Sequence, residues 1–164
     1  RAESFMTQDF TTTDNERRKI MADNNISVRF DVDASDFSAA GEASTKLKKM
    51  LRQLSVDPEV IRKVAVAMYE GEINMVIHAN GGHIDVEITP EYIKMILADN
   101  GPGIADISLA MKEGYSTAAD SVRELGFGAG MGLPNMKKYT DEMHITTELG
   151  KGTTIEMLVK NNAC

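Results

Sequence analysis

Two pairs of strand-like segments sit side by side in the chain, each closed by three residues, and this constrains the fold more than any other feature. "HIDVEI" (83–88) passes through Thr89-Pro90-Glu91 into "YIKMILA" (92–98). "HITTEL" (144–149) passes through Gly150-Lys151-Gly152 into "TTIEMLV" (153–159). Such short turns make hairpins, whereas parallel neighbours need a long crossover, so these strands pair antiparallel. "ISVRFDV" (26–32) alternates apolar and polar residues and reads as a further half-buried strand. From Asp36, the residues Phe37, Ala40, Leu47, Met50, Leu51 and Leu54 recur at helical spacing. Asp57-Pro58 supplies an N-cap and a first-turn proline for a second helix, expected to run to about His78. A short helix is expected over 106–113 and another from about Leu133 to Glu142. Strands cluster in pairs instead of alternating with helices, so the class is α+β: helices on one face of a mixed, mostly antiparallel sheet.

The chain has 164 residues, enough for one domain with a single core. Residues 1–24 lack sustained periodicity and are expected to form a mobile N-terminal tail, leaving 25–160 as the domain. A net charge of −7 argues against a binder of nucleic-acid backbones. The one cysteine, Cys164, leaves no partner for an intramolecular disulfide, which fits a reducing, cytoplasmic location. His78, His83 and His144 lack metal-ligand spacing, and no apolar run reaches the length of a membrane span.

Three stretches carry chemistry. In "YEGEINMVIHA" (69–79), Glu70 and Asn74 lie four apart on one helical face, while Glu72 points roughly 200° away from Glu70. A carboxylate and an amide oxygen on one face can orient a hydroxyl and hold Mg²⁺, although polar pairs at this spacing are also common on solvated faces. Asn74 lies among Ile73, Met75, Val76 and Ile77, where a polar side chain needs a partner or a task. Glu72 is expected to leave nucleotide binding and turnover unchanged. Gly71, mid-helix, costs about 1 kcal/mol relative to alanine.

The second stretch is "ILADNGPGIADI" (96–107). A buried strand stops at Asp99, whose carboxylate can accept an amino hydrogen at the bottom of a pocket, and Gly101 and Gly103 let the backbone approach a flat ring. A plain turn would account for the glycines and proline alone. The third is "GFGAGMGLPNMKKY" (126–139), where glycines alternate before a helix. Such a turn offers bare N–H groups to phosphate, or serves as a flexible linker. It fits neither the dinucleotide fingerprint nor the Walker loop, and the protein-kinase signatures are absent. The segment 114–131 is expected to include a flexible loop, with Arg123 read as an exposed loop arginine.

Taken in order, Glu-x-x-x-Asn, Asp-x-Gly-x-Gly and the Gly-rich stretch before a helix, ending in "GKGTTI", closely resemble the N, G1 and G2 boxes of GHKL (Bergerat-fold) ATP-binding domains. The resemblance spans about 26–160 and implies a two-layer α/β sandwich. "DNGPGI", "GYST" and "GAGMGLPNMKKYTDE" look most like the bacterial anti-sigma-factor and switch serine kinases of the RsbT, RsbW and SpoIIAB type, RsbT above all. The resemblance makes Glu70 the general base or water-positioning residue and Asn74 the Mg²⁺ ligand. Asp99 becomes the adenine-reading acid, supported by Thr153. Gly101 and Gly103 would line the adenine pocket, and Gly128, Gly130 and Gly132 would cradle phosphates.

That resemblance implies an ATP- and Mg²⁺-dependent serine/threonine kinase acting on a STAS-domain antagonist in a sigma-factor pathway. A sigma factor or a PP2C-type phosphatase is a further partner it allows, as is a homodimer. Neither nucleic acid nor membrane is expected as a partner. The alternative is an ATP-dependent module that sequesters its partner without turnover. A sensor histidine kinase is disfavoured, because no histidine precedes residue 35.

Overall fold

A computed structural model describes residues 25–116, 118 and 130–161, together with Glu16. The segment 119–129, which carries Gly128 and Arg123, and the rest of 1–24 lie outside the described residues, and so do the expectations placed on them. Five strands form one sheet: β1 (Ile26–Val32), β2 (Gly82–Ile88), β3 (Tyr92–Asp99), β4 (Glu142–Glu148) and β5 (Gly152–Lys160). The order is β1-β2-β3-β5-β4, and among the described residues every pairing is antiparallel, where a mixed sheet was expected.

Strand register converts sequence alternation into one buried face. Ile84, Val86 and Ile88 of β2 stand opposite Leu97, Met95 and Ile93 of β3. These in turn face Ile155, Met157 and Val159 of β5. All nine side chains are buried. The intervening residues point to the other face, where Arg29 pairs with Asp85 and Lys94 with Glu156.

The helices α1 (Glu42–Gln53), α2 (Pro58–His78), α3 (Ile107–Ala110) and α4 (Gly132–Lys138) complete the fold. Leu47 and Leu51 of α1, Val64 and Met68 of α2, and Leu133 and Met136 of α4 join the sheet residues in one core. Asp57 caps α2 as expected, accepting the Glu59 amide at 2.9 Å, with Pro58 in the first turn. The helical spacing after Asp36 splits into a 3₁₀ turn, Phe37–Ala39, and α1. The break falls at Gly41, whose φ of +96° is left-handed. Over 106–113 only one turn forms, with Asp106 accepting the Leu109 amide at 3.0 Å. Helix α4 stops at Lys138, and β4 starts earlier than its sequence suggests, at Glu142.

Glu72, expected to leave binding and turnover unchanged, has a structural task. Gly41, at the start of α1, has no side chain with which to cap the helix. Glu72 reaches across from α2 and does it instead. One carboxylate oxygen accepts from the amides of Gly41 (3.0 Å) and Ala43 (3.1 Å), the other from Ser44 (3.1 Å). The residue is only 2% exposed. It does face away from Glu70, but into protein and not into water.

Gly71 has an equally specific reason. A Cβ there would lie 2.2 Å from Cδ2 of Leu97, a core residue of β3, and 3.4 Å from the sulfur of Met136. The glycine lets α2 lie directly on the sheet. Gly71→Ala gains helix propensity worth about 0.5–1 kcal/mol but overpacks the core at about 1–3 kcal/mol. The expected net result in urea denaturation is a modest loss of stability, whereas a more stable variant would contradict this account of the packing.

Candidate functional site

A cavity of about 540 Å³ opens between α2, the β3–α3 connection, the start of α4 and the start of β5. Its lining includes Glu70, Asn74, Asp99, Gly103, Gly130, Gly132 and Thr153. Fold and spacing together explain this convergence. Residues 70 and 74 occupy one stripe of α2, β3 delivers Asp99 at its end, and β5 begins beside it.

Asp99 is fixed by the backbone around it. Its Oδ1 accepts from the amides of Gly101 (2.9 Å) and Thr153 (3.1 Å), while Oδ2 receives no donor among the described residues. One oxygen therefore holds the loop, and the other remains able to accept a hydrogen from a ligand. The Thr153 hydroxyl lies 2.9 Å from that of Thr147, which accepts the Ile104 amide at 2.9 Å. Thr147, on β4, thus ties the loop after β3 to the last hairpin. Sequence reasoning passed over it because it looks like one more alternating strand residue.

The glycines divide. Gly103 lines the cavity, with φ +79°, and a Cβ there would come within 2.6 Å of the Glu148 carbonyl oxygen. Gly101 does not line the cavity, against expectation: the space of its missing side chain is taken by Ala79, whose Cα would be 2.6 Å away. Its role is to let the loop pack against the end of α2 while its amide holds Asp99. Gly130 and Gly132 both reach the cavity. Gly132 abuts Asn74, whose Oδ1 would lie 3.0 Å from an added Cβ.

Glu70 and Asn74 are both half-buried. Asn135 of α4 donates from Nδ2 to Glu70 Oε1 at 3.2 Å. His78, four residues past Asn74, continues the same stripe along the cavity wall. Burial pushes its pKa below the usual histidine value, so the ring stays neutral at physiological pH. The i, i+4, i+8 spacing of 70, 74 and 78 was legible in the sequence. Its value lies in placing His78 on the cavity wall, a role that metal-ligand spacing does not reveal.

Comparison with known proteins agrees with this fold. Residues 34–159 match the model of the histidine kinase-like ATPase domain family. The chain is 31% identical over 127 residues to the serine/threonine-protein kinase RsbT of Bacillus subtilis (strain 168), covering 75% of this chain and 87% of that protein. It is 28% identical over 148 residues to the anti-sigma F factor of Clostridium beijerinckii, covering 87% and 98% of the two chains. The crystal structure of the RsbU and RsbW domains of Rv1364c from Mycobacterium tuberculosis superposes with a TM-score of 0.52 at 16% identity, a likeness of fold. That match covers 82% of this chain and 32% of the other. No described helix is long and apolar enough to cross a membrane. With the family model running from before α1 into β5, and the cavity built from residues within that span, this chain belongs to the histidine kinase-like ATPase domain family.

Proposed function

We propose that this protein is a serine/threonine protein kinase that uses ATP and Mg²⁺ to phosphorylate a regulatory partner in a sigma-factor pathway. The observation that carries this reading is one cavity with Glu70 and Asn74 on the same helical stripe and, on another wall, Asp99, whose Oδ2 has no donor among the described residues. The names of the relatives, a serine/threonine kinase and an anti-sigma factor, support it.

The chemistry of the donor set fits a nucleotide. Asp99 is an acceptor suited to the adenine amino group, with Gly103 and Thr153 beside it. Gly130 and Gly132 leave backbone near the position proposed for the phosphates, with Gly128 assigned there from its sequence motif alone. Among the described residues no three His, Cys, Asp or Glu side chains gather as a metal cage. Mg²⁺ is commonly held by one or two protein groups plus substrate phosphates. Asn74 supplies the protein oxygen. When bound, ATP would supply its γ-phosphoryl group to the partner's hydroxyl oxygen and leave as ADP, with Mg²⁺ held by Asn74 offsetting phosphate charge. Glu70 accepts the proton of the partner's hydroxyl, so its task is alignment and proton removal.

The partner we assign is a STAS-domain antagonist, and the working compartment is the cytoplasm. Incubation of the protein with γ-labelled ATP, Mg²⁺ and the STAS-domain protein encoded nearest to it tests the whole reading. The expected product is an acid-stable phosphoserine or phosphothreonine on the partner. Acid-labile label would indicate phosphohistidine and overturn the assignment. ATP-dependent binding without label would mean that the protein sequesters its partner.

Nucleotide choice gives a separate test. Asp99→Asn replaces an acceptor-only group by an amide that is mismatched to an amino donor, so ATP affinity should fall roughly 10- to 100-fold. GTP, with a carbonyl where adenine has its amine, should bind poorly to the native protein. Calorimetric titration giving equal ATP affinities for the two proteins would remove Asp99 from the site.

A further inference from the structure

Helix α4 carries a polar residue at a place where its neighbours are core. Asn135 lies between Leu133 and Met136, both at least nine-tenths buried, and its side chain is turned toward α2. Its Nδ2 donates to Glu70 Oε1 at 3.2 Å. An ionised carboxylate only accepts hydrogen bonds, so the amide nitrogen must be the atom that faces it. Among the described residues Glu70 has no other hydrogen bond, and Oε2 is left for the cavity that Glu70 lines.

We propose that Asn135 is a positioning residue that aims the Glu70 carboxylate into the cavity. This rests on the proposed phosphoryl transfer, in which Glu70 is the base. A neutral donor is suited to the task. It holds one oxygen without neutralising the charge that makes the other a proton acceptor. The nearby cations do not take its place: Lys137 and Lys138 are exposed, and Lys138 lies over the Tyr139 ring at 5.4 Å. The other ionisable groups lining the cavity, Tyr69, His78, Asp99, Asp106 and Tyr115, make no hydrogen bond to Glu70. Because α4 begins at Gly132, against Asn74, the same short helix lies beside both Glu70 and Asn74.

The test compares the native protein with Asn135→Leu, which keeps volume but removes the donor, and Asn135→Asp, which sets a like charge against Glu70. Two readouts are needed: transfer of γ-label from Mg-ATP to the partner protein as a function of pH, and the ¹³C titration of the Glu70 carboxyl carbon. Asn135→Leu should lower kcat roughly 10- to 100-fold with KM changed less than about twofold, as misaimed catalytic groups do. Asn135→Asp should move the acid limb of turnover and the Glu70 titration midpoint up by about one pH unit. Melting temperatures separate these effects from simple loosening, which would lower stability and leave the midpoint in place. An unmoved midpoint in both variants overturns the proposal. A shifted midpoint in a protein that never turns over ATP would uphold the contact and refute phosphoryl transfer instead.

Discussion

Replacing Glu72 with alanine should destabilise the protein by about 3–5 kcal/mol, because three backbone amides at the start of α1 would lose a charged acceptor in a buried site. For a domain whose whole stability is typically about 5–15 kcal/mol, that is a large fraction. The melting temperature should drop by roughly 10 °C. Glu72→Gln should fall between, since its amide nitrogen presents a donor where donors already point. Thermal and urea denaturation of the two variants check this. A melting temperature within a degree or two of the native value for Glu72→Ala would mean that α1 does not depend on this carboxylate. Loss of activity in these variants should follow loss of folded protein, and cooling or osmolyte should restore it.

Glu70 should behave in the opposite way. Glu70→Gln keeps shape and a partner for Asn135 but removes the proton acceptor. ATP should still bind, while phosphate transfer to a partner hydroxyl falls roughly 10²–10⁴-fold. Asn74→Ala should instead lose the Mg²⁺-dependent part of ATP affinity and all turnover with it. Calorimetry with and without Mg²⁺, beside the label-transfer assay, separates the two roles. Full transfer by Glu70→Gln would exclude Glu70 as the base. The pair 70 and 72 thus forms a contrast two residues apart: one acid expected to act through chemistry, the other through folding.

That contrast marks how far local pattern reaches. The two hairpins, the Asp57-Pro58 start of α2 and the class of fold were legible because alternation, turn residues and capping act within a few residues of themselves. The grouping of Glu70, Asn74, Asp99, Gly103 and Thr153 was legible only as an ordered set of motifs, and the cavity then brought all five together. Gly101 shows the limit: its glycine requirement was readable, but the sequence could not say that Ala79 fills the space beside it.

By itself, the sequence determined which residues share a face and where strands must turn back, because both follow from the periods of helix and strand. It also determined that residues 70 and 72 point apart. Only the tertiary structure decided which of those two acids lies buried, since that depends on α1 packing beside α2 and presenting uncapped amides there. Likewise the Asn135–Glu70 bond joins residues 65 apart, and the Thr153–Asp99 bond residues 54 apart. No local propensity encodes such meetings. They exist because α4 closes onto α2 and β5 pairs with β3, and burial of the shared core holds those elements in place.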